Sequence, residues 1–335
     1  MENNDLSSRK TDHIQLAFEA QSKALDDRFY YEPMLHAHPV SGAIPPLQLA
    51  GKVLKAPLWI SSMTGGAQLA GNINRNLALA CKNFGLGMGL GSCRSLLESN
   101  DYFHDFAVRK FMGDQPLFAN LGIAQVEELL ALNQFEKIRD MVRRLEADGL
   151  IIHVNPLQEW LQPEGDRIVN PPIHTITQFL EMADFPVMVK EVGQGFGPAS
   201  LQALAQLPLE AIEFGASGGT NFSMLENLRR DDFFREQFGP VANIGHNANE
   251  MVSWAAELCT APANSVKTRA FIVSGGIKNF LDGYYHVQRL PWKSLYAQAS
   301  AFLKHAMRSE DELMEFTENQ IRGLELAYTF LTVKK

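Results

Sequence analysis

The sequence predicts an α/β protein built as a (β/α)8 barrel with an N-terminal extension, and three observations carry that expectation. Eight short apolar runs recur along the chain, amphipathic stretches separate most of them, and a polar or glycine-rich cluster follows nearly every one. Runs that are almost continuously apolar mark strands buried on both faces, as in a parallel sheet covered by helices. A doubly wound open sheet would meet the first two observations. It would, however, gather its polar clusters at one switch point, whereas here they are spread over all the strand ends, which favours the closed barrel.

The elements follow in order. Residues 1–55 mix charges, aromatics and two turn regions, Pro39 to Gly42 and Pro45-Pro46, and read as an N-terminal helix and arm packed on the barrel of residues 56–335. The expected strands are Pro57 to Ser62, Leu86 to Leu90, Pro116 to Leu121, Leu150 to Val154, Pro186 to Lys190, Ala211 to Phe214, Ala270 to Val273 and Ser294 to Ala299. Helical segments are expected over Ile73 to Lys82, Glu127 to Glu146, Ile173 to Met182, Ser200 to Ala205 and Ala248 to Leu258. Leu313, Phe316, Ile321, Leu324, Tyr328 and Leu331 recur near helical period and predict a closing helix over Glu312 to Leu331. The charged stretch Asn221 to Gly245 is too long for a simple connection and reads as an extension over the mouth or toward a neighbouring subunit.

Composition narrows the function. The 335 residues are 46% hydrophobic and 20% charged, ordinary for a protein with a sizeable core, and the net charge of -8 does not suit a nucleic-acid backbone or an anionic membrane. An anionic substrate therefore needs a local basic pocket. Cys81, Cys93 and Cys259 lack the spacing of a zinc site or a disulfide framework. With no exporting leader and no apolar stretch near the ~20 residues that span a bilayer, a cytoplasmic location is expected.

In a barrel the chemistry sits at the carboxyl ends of the strands. The first strand ends in Ser61-Ser62-Met63-Thr64-Gly65-Gly66, which suits a planar ring or phosphate and equally a tight turn. The second leads into Gly91-Ser92-Cys93-Arg94, where Arg94 offers a fork for phosphate oxygens or is a surface arginine. Asn120 after the third is a pocket amide or a turn former. The fourth gives His153, Asn155, Gln158 and Glu159, then Pro163 to Arg167; Glu159 is a candidate ligand for a divalent cation, and each residue taken singly is also a structural hydrogen-bonding group. Lys190 closes the fifth and needs a negative partner, either an anionic ring or a carboxylate. Glycines after strands six and seven, through Thr220 and Gly275-Gly276-Ile277, let backbone N–H groups converge on a phosphate. A cofactor with one phosphate and a ring facing Lys190 is expected, and flavin mononucleotide (FMN) meets both requirements.

Taken in order, Arg9-Lys10-Thr11-Asp12-His13, Ser62 to Gly66, Gly91 to Arg94, Asn120-Leu121-Gly122, His153 to Glu159, Pro163 to Arg167, Lys190 to Gly193, Gly218-Gly219-Thr220 and Ser274 to Ile277 resemble the flavin-dependent type 2 isopentenyl-diphosphate isomerases. The resemblance implies an FMN- and Mg²⁺-binding barrel, activated when NADPH reduces the flavin, that interconverts isopentenyl and dimethylallyl diphosphate. It implies flavin contacts at Ser62, Met63, Thr64, Ser92, Asn120, Lys190, Thr220 and Gly275 to Ile277. Substrate falls to Arg9, Lys10, Ser92, Arg94 and Gln158, with His153 and Asn155 lining the pocket, and the metal to Glu159. Gln158 would position substrate and relay a proton, most proton transfer being left to the flavin, and a homo-oligomer is expected.

Two departures stand out. Glu213-Phe214-Gly215-Ala216-Ser217 replaces the usual Asp-Val-Ser-Gly-Ala, which leaves one flavin contact open. Tyr296-Ala297-Gln298-Ala299-Ser300 stands where a Gly-rich turn is usual, which brings Ala297 and Gln298 to the cofactor, and the phosphate-side basic residue after Ile277 is Lys278. Two rivals remain. A flavin-dependent 2-hydroxy-acid oxidase would need a histidine base beside an arginine clamp, and His246 has no adjacent arginine; the other is a non-catalytic flavin- or diphosphate-binding barrel.

Overall fold

The computed structural model describes residues 2–21, 24–40, 42–62, 70–261 and 266–334, with side chains from residue 8 onward. Its twelve strands are β1 (Phe29–Tyr31), β2 (Leu47–Leu49), β3 (Lys52–Leu54), β4 (Leu58–Ile60), β5 (Gly87–Gly89), β6 (Leu117–Gly122), β7 (Gly149–Val154), β8 (Val187–Glu191), β9 (Ala211–Glu213), β10 (Phe271–Val273), β11 (Ser294–Gln298) and β12 (Leu331–Val333). Strands β4 to β11 close into a parallel barrel, β9 pairing with β10 and β11 with β4. Each of the eight expected strands is one of these, with bounds shifted by a residue or two: β4, β5, β9, β10 and β11 are shorter than expected, β7 starts one residue earlier, and β6 and β8 are displaced by one residue toward the carboxyl end.

The barrel strands are buried along almost their whole length because both faces are covered. Outward-facing residues pack under the helices, and inward-facing Trp59, Phe118, Ile151, Met188, Ile272 and Leu295 fill the interior. Leu49 and Leu54 of the β2–β3 hairpin join this inner cluster and are fully buried, so the hairpin stoppers the amino-terminal end. The Ala50 amide donates to Glu210 at 2.6 Å, and Lys52 pairs with Asp148 at 2.6 Å, fixing the hairpin to the barrel floor.

The expected helices form with bounds extended at one or both ends, at Ala70–Phe84, Pro172–Met182, Pro198–Ala205, Ala248–Thr260 and Glu310–Phe330, except that the last stops before Leu331, which opens β12 instead of closing the helix. The segment expected over Glu127 to Glu146 is instead two helices, Ile123–Ala131 and Phe135–Arg144, broken where Asn133 takes a φ of 54°. A periodic apolar pattern continues through such a break because both helices bury the same side. Helices Phe280–Arg289 and Ser300–Ala306 lay outside the expected set. The arm behaves in two ways. Strand β1 pairs with β12, tying the arm to the carboxyl terminus, while the described side chains of helix Glu2–Leu16 are exposed, unlike the packed helix expected. None of the helices among the described residues is long and apolar enough to cross a membrane.

Candidate active site

The carboxyl ends of β4, β8, β9, β10 and β11 surround a cavity of about 660 Å³. Of the expected cofactor residues it brings together Ser62, Lys190, Thr220, Gly275, Gly276, Ile277, Ala297 and Gln298. The geometry of one turn requires glycine: Gly275 has a φ of +92°, and a Cβ there would lie 1.9 Å from the Ala216 carbonyl oxygen. The loops after β9 and β10 thus pack backbone against backbone here, which a side chain at Gly275 would prevent. Ser62 Oγ and Gln298 Oε1 are buried polar atoms without a partner among the described residues, an arrangement that suits a ligand. Met63 and Thr64 lie outside the described residues.

The charge of this cavity is one-sided. Its described lining includes Lys190, Lys278 and Lys304 and no carboxylate, within a chain of net charge -8. Lys278, the basic residue expected on the phosphate side after Ile277, does line the cavity, whereas Lys304 escaped the sequence reading because it is on a helix that was not expected.

Beyond β7 lies a second group. Helix Pro156–Leu161 starts with proline in its first turn, a position where the missing N–H costs nothing, and presents Gln158 and Glu159. Asn155 is buried; its amide donates to Glu159 Oε1 at 2.9 Å and to Gln158 Oε1 at 3.2 Å. The other Glu159 oxygen accepts the Asp166 backbone N–H at 2.7 Å, so the carboxylate is aimed from both sides. Arg94 forms an ion pair with Asp166, which also accepts from Gln125 at 2.7 Å. Gln125 was not singled out by sequence. It sits in the first turn after β6, and a scan extended one turn past each strand end would have found it. Among the described residues no three His, Cys, Asp or Glu side chains form a metal cage. A cation at Glu159 would therefore take its other oxygens from substrate and water, the usual habit of Mg²⁺.

His153 and Asn120 lie between the two groups. The Asn120 amide nitrogen donates to the Leu90 carbonyl at 3.0 Å, which turns its oxygen to His153 Nδ1 at 2.8 Å. Since that oxygen only accepts, His153 carries its proton on Nδ1. Burial first, and the Lys190 charge second, lower its pKa to about 4, so it is neutral at pH 7. Neither Ser92 nor Asn120 lines the cavity; Ser92 is exposed, and Asn120 orients the imidazole. Arg9 and Lys10 are exposed on the amino-terminal helix and are not brought to the cavity.

A separate cavity of about 570 Å³ lies outside the barrel, between β7, β8 and their helices, with a mainly apolar lining. His246 belongs to it and stands edge-on to Trp254, with ring centroids 5.0 Å apart. The histidine that an oxidase would need as base is thus not in the barrel cavity.

Fold and site together define a (β/α)8-barrel enzyme with a cationic mouth. Solved structures agree on the fold: a mandelate oxidase variant with an FMN adduct matches with a TM-score of 0.58 at 12% identity, over 98% of both chains. A flavocytochrome b2 variant matches at 0.59 and 12% identity, over 88% of this chain and 71% of that one. In sequence, the isopentenyl-diphosphate delta-isomerase of Cronobacter sakazakii is 35% identical over 98% of this chain and 93% of that protein. Those of a Nostoc species, at 33% over 93% and 87%, and of Deinococcus radiodurans, at 36% over 83% and 78%, are similar too. This chain belongs to the isopentenyl-diphosphate delta-isomerase family. No protein-family model matches it.

Proposed function

We propose that this protein interconverts isopentenyl and dimethylallyl diphosphate, using reduced FMN in the barrel cavity and Mg²⁺ at Glu159. The observation that carries the proposal is the cavity's charge, three lysines and no carboxylate among its described lining residues. An anion is attracted there and little else is.

The residues fit the flavin. The glycine wall at Gly275 and Gly276 leaves backbone close to a phosphate, and Ser62 and Gln298 hold buried polar atoms in need of partners. Lys190 faces the same space as a cation. Reduced FMN would supply an exchangeable proton and an electron-rich ring, which suits a double-bond shift with no net redox change. The protein's own part is binding and orientation. Arg94 would exchange Asp166 for a diphosphate oxygen, Glu159 would hold the cation, which would offset diphosphate charge, and Gln158 would position the five-carbon chain. Neutral His153 adds no charge of its own beside Lys190. NADPH is the proposed reductant, and a cytoplasmic homo-oligomer is the proposed setting.

The test is turnover of isopentenyl diphosphate by FMN-loaded protein under nitrogen. One equivalent of NADPH or dithionite should start many turnovers, and product formed in deuterated water should carry deuterium. Oxygen or NADPH consumed in proportion to product would point to an oxidoreductase. Flavin bound with no conversion would leave a binding barrel.

A further inference from the structure

Three neighbouring strands carry ionisable side chains at one level of the barrel. The register sets His153 of β7 beside Lys190 of β8, and Lys190 beside Glu213 of β9. Registered residues of parallel neighbours share a face, and Lys190 lines the cavity, so the row faces inward. One member is neutral, as shown above for His153. The second, Lys190, donates from Nζ to the Glu191 carbonyl at 2.8 Å and stands 4.0 Å from Glu213 Oε1.

Glu213 is the unusual member. It is 1% exposed and does not line the cavity. Its Oε1 accepts the hydroxyl of Ser61, which follows β4 across the barrel, and its Oε2 is buried with no partner among the described residues. An ionised carboxylate with one bare oxygen is costly to bury. Packing does not call for it, because a glutamine of the same shape would accept the Ser61 hydroxyl equally well. What a glutamate adds over a glutamine falls beside the neighbouring ammonium, 4.0 Å away.

We propose that Glu213 is a positioning residue: the counter-ion beneath Lys190, which sets how much of the lysine's positive charge reaches an anionic ring in the cavity above. It touches no ligand and acts through Lys190. The proposal rests on the reading of this cavity as the FMN site. Reduced flavin concentrates more negative charge on its ring than oxidised flavin, so the redox equilibrium reports the field directly.

The experiment is a spectroelectrochemical titration of FMN-loaded wild type, Glu213→Gln and Glu213→Asp, with the affinity for oxidised FMN measured by fluorescence. Glu213→Gln keeps the shape and the Ser61 acceptor while releasing the full Lys190 charge to the cavity. It is expected to favour reduced over oxidised FMN by about tenfold more than wild type, seen as a higher midpoint potential. Glu213→Asp retains the charge and should stay near the wild-type potential. Should Glu213→Gln not fold, Ser61→Ala gives the opposite arm, because a carboxylate without the hydroxyl draws more on Lys190 and the potential should fall. An unchanged potential in the folded variant, or an equal shift in Glu213→Gln and Glu213→Asp, overturns the proposal while the FMN site stands. A wild-type chain that takes up no FMN overturns the FMN reading and the proposal together.

Discussion

The two ends of the barrel are built on opposite principles. At the amino-terminal end Leu49 and Leu54 press into an inner layer of Trp59, Phe118, Ile151 and Ala211, with Trp59 and Phe118 edge-to-face at 5.9 Å. Apolar contact there is dense, and apart from the Trp59 indole N–H the layer asks for no hydrogen-bonding partner. At the carboxyl-terminal end the same strands and the residues just after them supply His153, Lys190, Glu213, Ser62 and Gln298, and several of their polar atoms are buried without partners among the described residues. Each such atom costs stability that the other end must supply. The difference teaches where change is tolerated: a fault at the stopper should unfold the protein, and a fault at the mouth should leave it folded and disabled.

The strongest test of that contrast is Glu159→Gln, which keeps the shape at the mouth and removes the charge. Turnover is expected to fall on the order of a hundredfold or more, with weakened Mg²⁺ dependence and an unchanged melting temperature. Steady-state rates over a Mg²⁺ series together with a thermal melt decide it.

At the stopper, Leu54→Ala should do the reverse. A fully buried leucine reduced to alanine is expected to cost about 2–5 kcal/mol of stability. Turnover per folded molecule at low temperature should be unchanged. Urea unfolding combined with assays at two temperatures would expose a failure, namely lost turnover without lost stability.

A smaller effect is expected at Arg94. The residue is half exposed and already paired with Asp166, so its exchange for diphosphate yields a screened interaction. Arg94→Ala should raise KM about tenfold and leave kcat nearly unchanged. A fall in kcat with constant KM would place Arg94 in the transition state instead.

The smallest effect concerns acid. His153 has a folded pKa near 4, below its ordinary value of 6.5, so the unfolded chain binds the proton more readily. Its contribution to stability is complete above about pH 6.5 and is lost as the pH falls toward 4. His286, also buried and lowered to about 4, acts in the same direction. The melting temperature should therefore decline through that window, and His153→Gln should make the decline shallower. An identical slope in the variant would show that His153 is not held neutral.

Much of the barrel was legible along the chain. Continuous apolar runs such as Leu117 to Leu121 and Leu150 to Val154 become strands because a run buried on both faces must be apolar at every residue. The helix break at Asn133 was not legible, since a left-handed residue leaves the apolar pattern undisturbed on either side. Nor were the helices Phe280–Arg289 and Ser300–Ala306, whose short apolar stripes only make sense against the helices beside them.

The site divides in the same manner. Sequence by itself determined the supply of groups, namely glycines where backbone must form the wall, a lysine at the end of β8, and an amide and carboxylate after β7. These are local properties, because a strand end and its loop are contiguous in the chain. Tertiary structure alone decided which of them meet. It placed Glu213 under Lys190 and Ser61 against Glu213, and joined Arg94 to Asp166. Those pairs lie on different strands or loops, and only closure of the barrel brings them within a few ångströms, where charge is felt.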